Sequence, residues 1–236
     1  MNRRALVRSC ILALGLALAP VAQAGNRLAV QHVAFNPAGT QVLLVTAGQL
    51  DGSGFSAAQL QVVDTNSGHI LRQGGLQSET LGVRQTVTAL LKREEAALRR
   101  WNLWPGRMST PVYRRVFPSQ APTWAEGAAA GQSRTMKVRV WSWAIPVTLN
   151  VSARPGTCAF RDLLPSGEGP AGVALLVNGQ PLYRDRALPP ARACAARYAL
   201  ERLDVQGNRV AAVLRVYTPG FEGPDAQPLL VAGRLR

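Results

Sequence analysis

The sequence predicts an α+β fold dominated by β-structure: a three-stranded N-terminal meander, one long amphipathic helix and a C-terminal antiparallel β region. Three observations carry that expectation. Short apolar runs separated by turn residues fill residues 28–68, apolar positions recur at helical spacing from 79 to 104, and apolar–polar alternation returns from Met136 to the end.

Leu28 to Phe35 and Gln41 to Thr46 read as strands around the turn Asn36-Pro37-Ala38-Gly39. Gln59 to Asp64 reads as a third strand, closed by Thr65-Asn66-Ser67-Gly68. The set has the pattern of one β-propeller blade, but no second copy follows, so a closed propeller is not expected. In the helix, Val83, Val87, Leu90, Leu91, Leu98 and Trp101 form the apolar stripe; Ser78 is the expected N-cap and Pro105-Gly106 the stop. The opposite face carries Arg84, Lys92, Arg93, Glu95 and Arg99, and acidic interruptions at Glu94 and Glu95 fit a helix laid on a sheet rather than on a membrane. Residues 105–135, with Pro111, Pro118 and Pro122, read as an irregular connection.

Beyond that connection, Met136, Val138 and Val140 face one way, while Lys137, Arg139, Trp141 and Trp143 face the other. The apolar phase then moves to Val147, Leu149 and Val151, which predicts a bulge or bend near Ala144 to Pro146. Hairpins are expected across Asn178-Gly179 and across Gln206-Gly207-Asn208, with Leu229 to Gly233 as the closing strand.

Residues 1–24 read as a cleavable export signal. Arg3, Arg4 and Arg8 precede the apolar run from Cys10 to Leu18, and Ala22-Gln23-Ala24 offers a cleavage site before Gly25. The expected destination is the periplasm or the extracellular space. Residues 25–236 are expected to form a single secreted β-rich domain, with possible sub-units 25–104 and 136–236 joined by 105–135. Cleavage removes Cys10 and leaves Cys158 and Cys194, an even pair in an oxidising compartment and so an expected disulfide. It also removes three arginines, so 27 − 3 = 24 basic residues face 13 acidic ones, a formal charge of +11. Lysine occurs only at Lys92 and Lys137, and the arginines are scattered, a pattern that fits compositional bias. An anionic surface or polymer is an alternative partner, with nucleic acid not the expected one.

The sequence assembles no catalytic constellation. Histidine occurs only at His32 and His69, Ser53 in Gly52-Ser53-Gly54 lacks a nucleophile-elbow frame, and no zinc-ligand spacing is present. Two glycine-rich loops carry carboxylates: Asp51-Gly52-Ser53-Gly54-Phe55 and Pro219-Gly220-Phe221-Glu222-Gly223-Pro224-Asp225. Asp51, Ser53, Glu222 and Asp225 are therefore candidate ligand-binding or cation-binding residues. A calcium ion is the one cofactor that these oxygen donors suggest, and ordinary turn chemistry is the competing reading. Trp141 and Trp143, beside Lys137 and Arg139, are a candidate stacking surface if exposed and core if the helix covers them.

The Asp51-Gly52-Ser53-Gly54-Phe55 loop, Arg186-Ala187-Leu188-Pro189 leading to Arg192-Ala193-Cys194 and Tyr198, and Pro219 to Asp225 together resemble a bacterial family of predicted secreted proteins, a domain of unknown function. The resemblance implies export and one family unit, and no activity. The expected function is that of a non-enzymatic periplasmic or secreted ligand-binding or envelope-associated protein. The alternatives are a hydrolase acting on envelope carbohydrate through carboxylates drawn from Asp51, Glu222 and Asp225, and a basic protein binding a polyanion.

Overall fold

The computed structural model describes residues 25–104, 107–117, 121–220 and 222–235. The export signal, the Pro105-Gly106 helix stop and Phe221 lie outside the described residues. Within them the fold is β-dominated and antiparallel, with one α-helix. The first sheet is a meander of β1 (Ala29–Phe35), β2 (Gln41–Gln49), β3 (Ser56–Asp64) and β4 (Ile70–Ser78). Helix α1 (Val83–Arg100) follows it. The second sheet has the order β12-β11-β10-β5, from β5 (Pro111–Arg114), β10 (Arg197–Gln206), β11 (Arg209–Pro219) and β12 (Pro224–Arg234). The third is β6 (Ser133–Val140), β7 (Trp143–Ala153), β8 (Ala171–Val177) and β9 (Gln180–Arg184) in sequence order.

Alternation in the strands stacks these pieces into layers. In β2, Leu43 and Val45 point at Leu90 and Leu98 of the helix, while Val42 and Leu44 point at Ala211 and Val213 of β11. The other face of β11, through Val210, Ala212, Leu214 and Val216, packs on Val147, Leu149 and Leu175 of the third sheet. The order is helix, first sheet, second sheet, third sheet. The second sheet is covered on both faces, so β11 reads as a nearly unbroken apolar run.

Several elements differ from the sequence expectation. The meander gains a fourth strand, β4, an edge strand that is half-exposed or exposed along its length and so lacks an apolar signature. Its Gly74 admits the helix: a Cβ there would stand 3.2 Å from Glu94 Oε1. Glu94 faces the sheet, not solvent, and accepts from Arg72 Nε at 2.9 Å. The helix starts later than expected, with Gly82 as N-cap and its N–H donated to Gln85 Oε1 at 3.0 Å. Ser78 instead caps the preceding turn, accepting from the Thr80 and Leu81 amides. The connection contributes β5, four residues paired with β10. The phase change after Val140 is a tight hairpin rather than a bulge, with Val140 opposite Trp143 and Trp141-Ser142 as its turn.

Cys158 and Cys194 are bridged, with Cα atoms 4.8 Å apart, tying the loop after β7 to the segment before β10. Thiol titration of the folded secreted chain should find no free thiol. The double substitution Cys158→Ala/Cys194→Ala should lower the unfolding free energy by about 2–5 kcal/mol in denaturant melts; an unchanged midpoint would mean that the bridge carries no stability.

Candidate functional site

The face of the second sheet that meets the first sheet carries charge where an apolar layer would be simplest. A β-bulge between Leu200 and Arg202 shifts the alternation of β10. Leu200 and Leu203 both pack on the third sheet, so Glu201 and Arg202 fall together on the opposite face with Asp204. Arg202 grips Asp204 with two bonds, 2.7 Å and 2.8 Å, and donates to Ser109 O at 2.9 Å. Ser109 in turn donates its N–H to Val33 O and its hydroxyl to Asp204 Oδ1 at 2.6 Å, locking the connection between the two sheets. His32, on β1, is depressed below its ordinary value, first by burial and then by the Arg202 charge.

Arg215, in the middle of β11, is 0 % exposed. Its Nε lies 2.6 Å from Glu201 Oε2, and its terminal nitrogens donate to Leu28 O at 2.7 Å and Ala226 O at 3.2 Å. One buried guanidinium therefore ties the segment entering β1 to β10, β11 and β12. A second charged group sits beside it: Glu126 accepts from Arg27 and from the Tyr217 hydroxyl at 2.9 Å, while Arg115 donates to Glu126 O at 2.9 Å. Burial pushes the Tyr217 phenol well above its ordinary value, and Glu126 adds to the rise. Burial also lowers Arg27, against the attraction of Glu126.

These groups open into a cleft of about 460 Å³ between the first two sheets. Arg27, Arg114, Arg115, Phe117, Glu201 and Arg215 are in its wall and floor. The Phe117 ring lies under two guanidiniums, with Arg27 Cζ 4.2 Å and Arg115 Cζ 4.9 Å from its centroid. Arg114 is exposed at the mouth and takes part in no ion pair among the described residues. A larger groove of about 1080 Å³ runs along the free edge of β12 beside β9; exposed His69, Arg184, Arg186 and Arg234 line it, and no buried charged group converges there.

The residues singled out from sequence fall elsewhere. Asp51 and Asp225 meet the same residue, Asn26. Asp225 Oδ1 accepts the Asn26 N–H at 2.8 Å and its side-chain amide at 3.2 Å, and Asn26 Oδ1 accepts the Asp51 N–H at 2.8 Å. Asp51 Oδ1 accepts the Gly52 amide and Ser53 Oγ the Phe55 amide, both within the β2–β3 turn. Glu222 is exposed in the β11–β12 turn. Among the described residues, no three His, Cys, Asp or Glu side chains group to hold a metal ion. Trp141 and Trp143 are exposed at the β6–β7 hairpin tip, and the helix covers the first sheet instead of them.

The Arg192-Ala193-Cys194 and Tyr198 motif is a structural lock. Arg192 grips Asp185 with bonds of 2.6 Å and 2.8 Å, Tyr183 donates to Asp185 Oδ1 at 2.6 Å, and the Val173 amide donates to Oδ2 at 3.0 Å. Tyr198 donates to Ala171 O at 2.8 Å. Burial alone would raise Asp185, but these donors outweigh it and hold the carboxyl below its ordinary 3.8. Tyr183 is pushed up to about 12, first by burial and then by Asp185.

Sequence reasoning missed the cleft. The available signal was Arg215, a lone charge inside the apolar run Val210 to Val216, and the dense charge of Glu201, Arg202 and Asp204 in a strand.

A family model described as "Predicted secreted protein (DUF2259)" matches residues 44–234. No curated protein and no solved structure matches the chain. Among the described residues, no helix is long and apolar enough to cross a membrane.

The Asp185 lock carries a pH signature. A carboxyl whose folded pKa is depressed contributes stability that is complete above its unfolded pKa and is lost as pH falls through the folded one. Melts from pH 7 down to pH 2 should therefore show a loss of stability beginning near 3.8 and continuing below it, part of which disappears in Asp185→Asn. At pH 7, Arg192→Ala should cost about 3–5 kcal/mol by leaving the buried Asp185 without its counter-charge, held only by Tyr183 and the Val173 amide. An Asp185→Asn variant with the acid profile of the parent would contradict this assignment.

Proposed function

The chain belongs to the DUF2259 family of predicted secreted proteins, and on that premise we propose that it is a non-enzymatic binding protein of the periplasm or extracellular space, taking a small anionic ligand in the arginine-walled cleft between its first two sheets. The observation that carries this reading is the charge of the wall: Arg27, Arg114, Arg115 and Arg215 against Glu201. Glu201 is matched by Arg215 and Glu126 by Arg27, which leaves the Arg114 and Arg115 guanidiniums as surplus donors for carboxylate or phosphate oxygens. The cleft volume of about 460 Å³ suits a small molecule, and Phe117 adds an apolar ring face to the charged wall. The commitment of Asp225 to Asn26, and of Asp51 to its own turn, supports binding over carboxylate chemistry at those loops.

Thermal melts of the mature chain with inorganic phosphate, citrate and glycerol phosphate test the reading. At least one anion should raise the melting temperature, with about 2.7 kcal/mol of stabilisation at a hundredfold excess over Kd. Arg114→Glu, at an exposed position, should abolish the rise and leave the ligand-free melt unchanged. A rise that persists in Arg114→Glu, or none with any anion, would remove the cleft as the binding site.

A further inference from the structure

Independently of the cleft, we propose that the β6–β7 hairpin is a membrane-surface anchor, seating Trp141 and Trp143 at the headgroup level of a bilayer that carries anionic phospholipid. Three observations meet at this tip. The two indoles are 57 % and 66 % exposed, although burying them would stabilise any ordinary fold. The backbone also works against having one of them there: Trp141 takes φ 54° at the first position of a two-residue turn, where glycine sits without strain. A bulky residue kept in such a conformation, facing solvent, gains nothing for the fold.

The third observation is charge. Lys137 and Arg139 alternate with the buried Val138 and Val140, so they stand on the outer face of the third sheet. Arg139 lies opposite Ala144 and Lys137 opposite Pro146, on the two strands that lead to the tip. At the rise of an antiparallel strand these cations are about 7 and 13 Å behind Trp141, close enough for their stems to reach lipid phosphates while the indoles enter the interface. Arg184, opposite Ala174, stands on the same outer face, and the third sheet's strands contain no aspartate or glutamate. The strands behind the tip therefore present positive charge on that face.

Tryptophan at the water–hydrocarbon boundary, with basic residues set back from it, matches the chemistry of an anionic bilayer surface. A sugar-binding platform would instead need amide or carboxylate partners beside the rings to take the hydroxyl groups. On the two strands of the tip the neighbours are Ser142, Ala144, Pro146 and the two cations, and the nearest turn, with Asn178, meets them only at Pro146 O. The anchor would hold the body at the surface by one protruding hairpin without any spanning segment.

Cosedimentation of the disulfide-bonded mature chain with vesicles tests this. Vesicles of phosphatidylcholine containing phosphatidylglycerol should retain the chain, and those of phosphatidylcholine alone should retain it far less. Trp141→Gly/Trp143→Ser should weaken binding at least about tenfold while melting no lower than the parent, because glycine relieves the positive φ. Lys137→Gln/Arg139→Gln should weaken it about ten- to thirtyfold and flatten its salt dependence. Equal retention on both vesicle types, or retention indifferent to the tryptophans, would overturn the proposal. Trp-dependent retention on purified cell-wall polysaccharide with none on vesicles would also overturn it, assigning the tip to a polymer.

Discussion

The second sheet has no face open to water along its centre, and that constraint governs most of the polar architecture. A charged side chain on β10 or β11 must find its partners inside the protein or not be there. Arg215 finds them in Glu201, Leu28 O and Ala226 O, and each partner belongs to a different piece of chain. The bulge at Glu201 exists to the same end, since it turns that carboxylate towards Arg215 while Leu200 and Leu203 both stay in the core of the third sheet. Ser109 and Glu126, both from the irregular connection, are drawn in as partners for Asp204, Arg27 and Tyr217. The cleft opens where this internal neutralisation reaches the surface and the positive charge exceeds the negative.

The loops that carry the family resemblance have a different job. Asp51 and Asp225 converge on Asn26, so the residues just after the expected export signal are clasped between two hairpin turns. Arg192, Cys194 and Tyr198 close the end of the sandwich formed by the second and third sheets. A pattern of glycine, proline and carboxylate at fixed spacing can thus arise from architecture alone. The groups with surplus binding capacity, Arg114 in the cleft and the indoles at the hairpin tip, stand outside those motifs.

Much of the fold was legible because burial on one face leaves alternation in the sequence. Val147 to Val151 disclose a strand in this way, Val42 to Val45 and Val210 to Val216, covered on both faces, disclose theirs as near-continuous apolar runs, and Asn178-Gly179 discloses a turn, with φ 51° and 76° at its two residues. Strands β4 and β5 are illegible for different reasons. The first is an edge strand whose covered side, Gly74, Leu76 and Ser78, is only half-buried and carries one large apolar residue, and the second is four residues of an edge held by its pairing with β10. In sequence, Trp141 and Trp143 fall on one strand face, because alternation carries no mark of a two-residue turn that lacks glycine. The cleft was hidden more deeply: its residues come from β1, β5, the connection, β10 and β11, and only the layered packing brings them together.

Arg215 is the internal tie on which the seam of the first two sheets depends. Denaturant unfolding of Arg215→Met measures it most directly, because the substitution keeps the apolar stem and removes every donor. Loss of about 3–5 kcal/mol is predicted, since the part-buried Glu201 loses its cation and the Leu28 and Ala226 carbonyls lose their donor. A loss below about 1 kcal/mol with an unchanged denaturant slope would mean that the seam is held by apolar packing alone and that Arg215 is no tie.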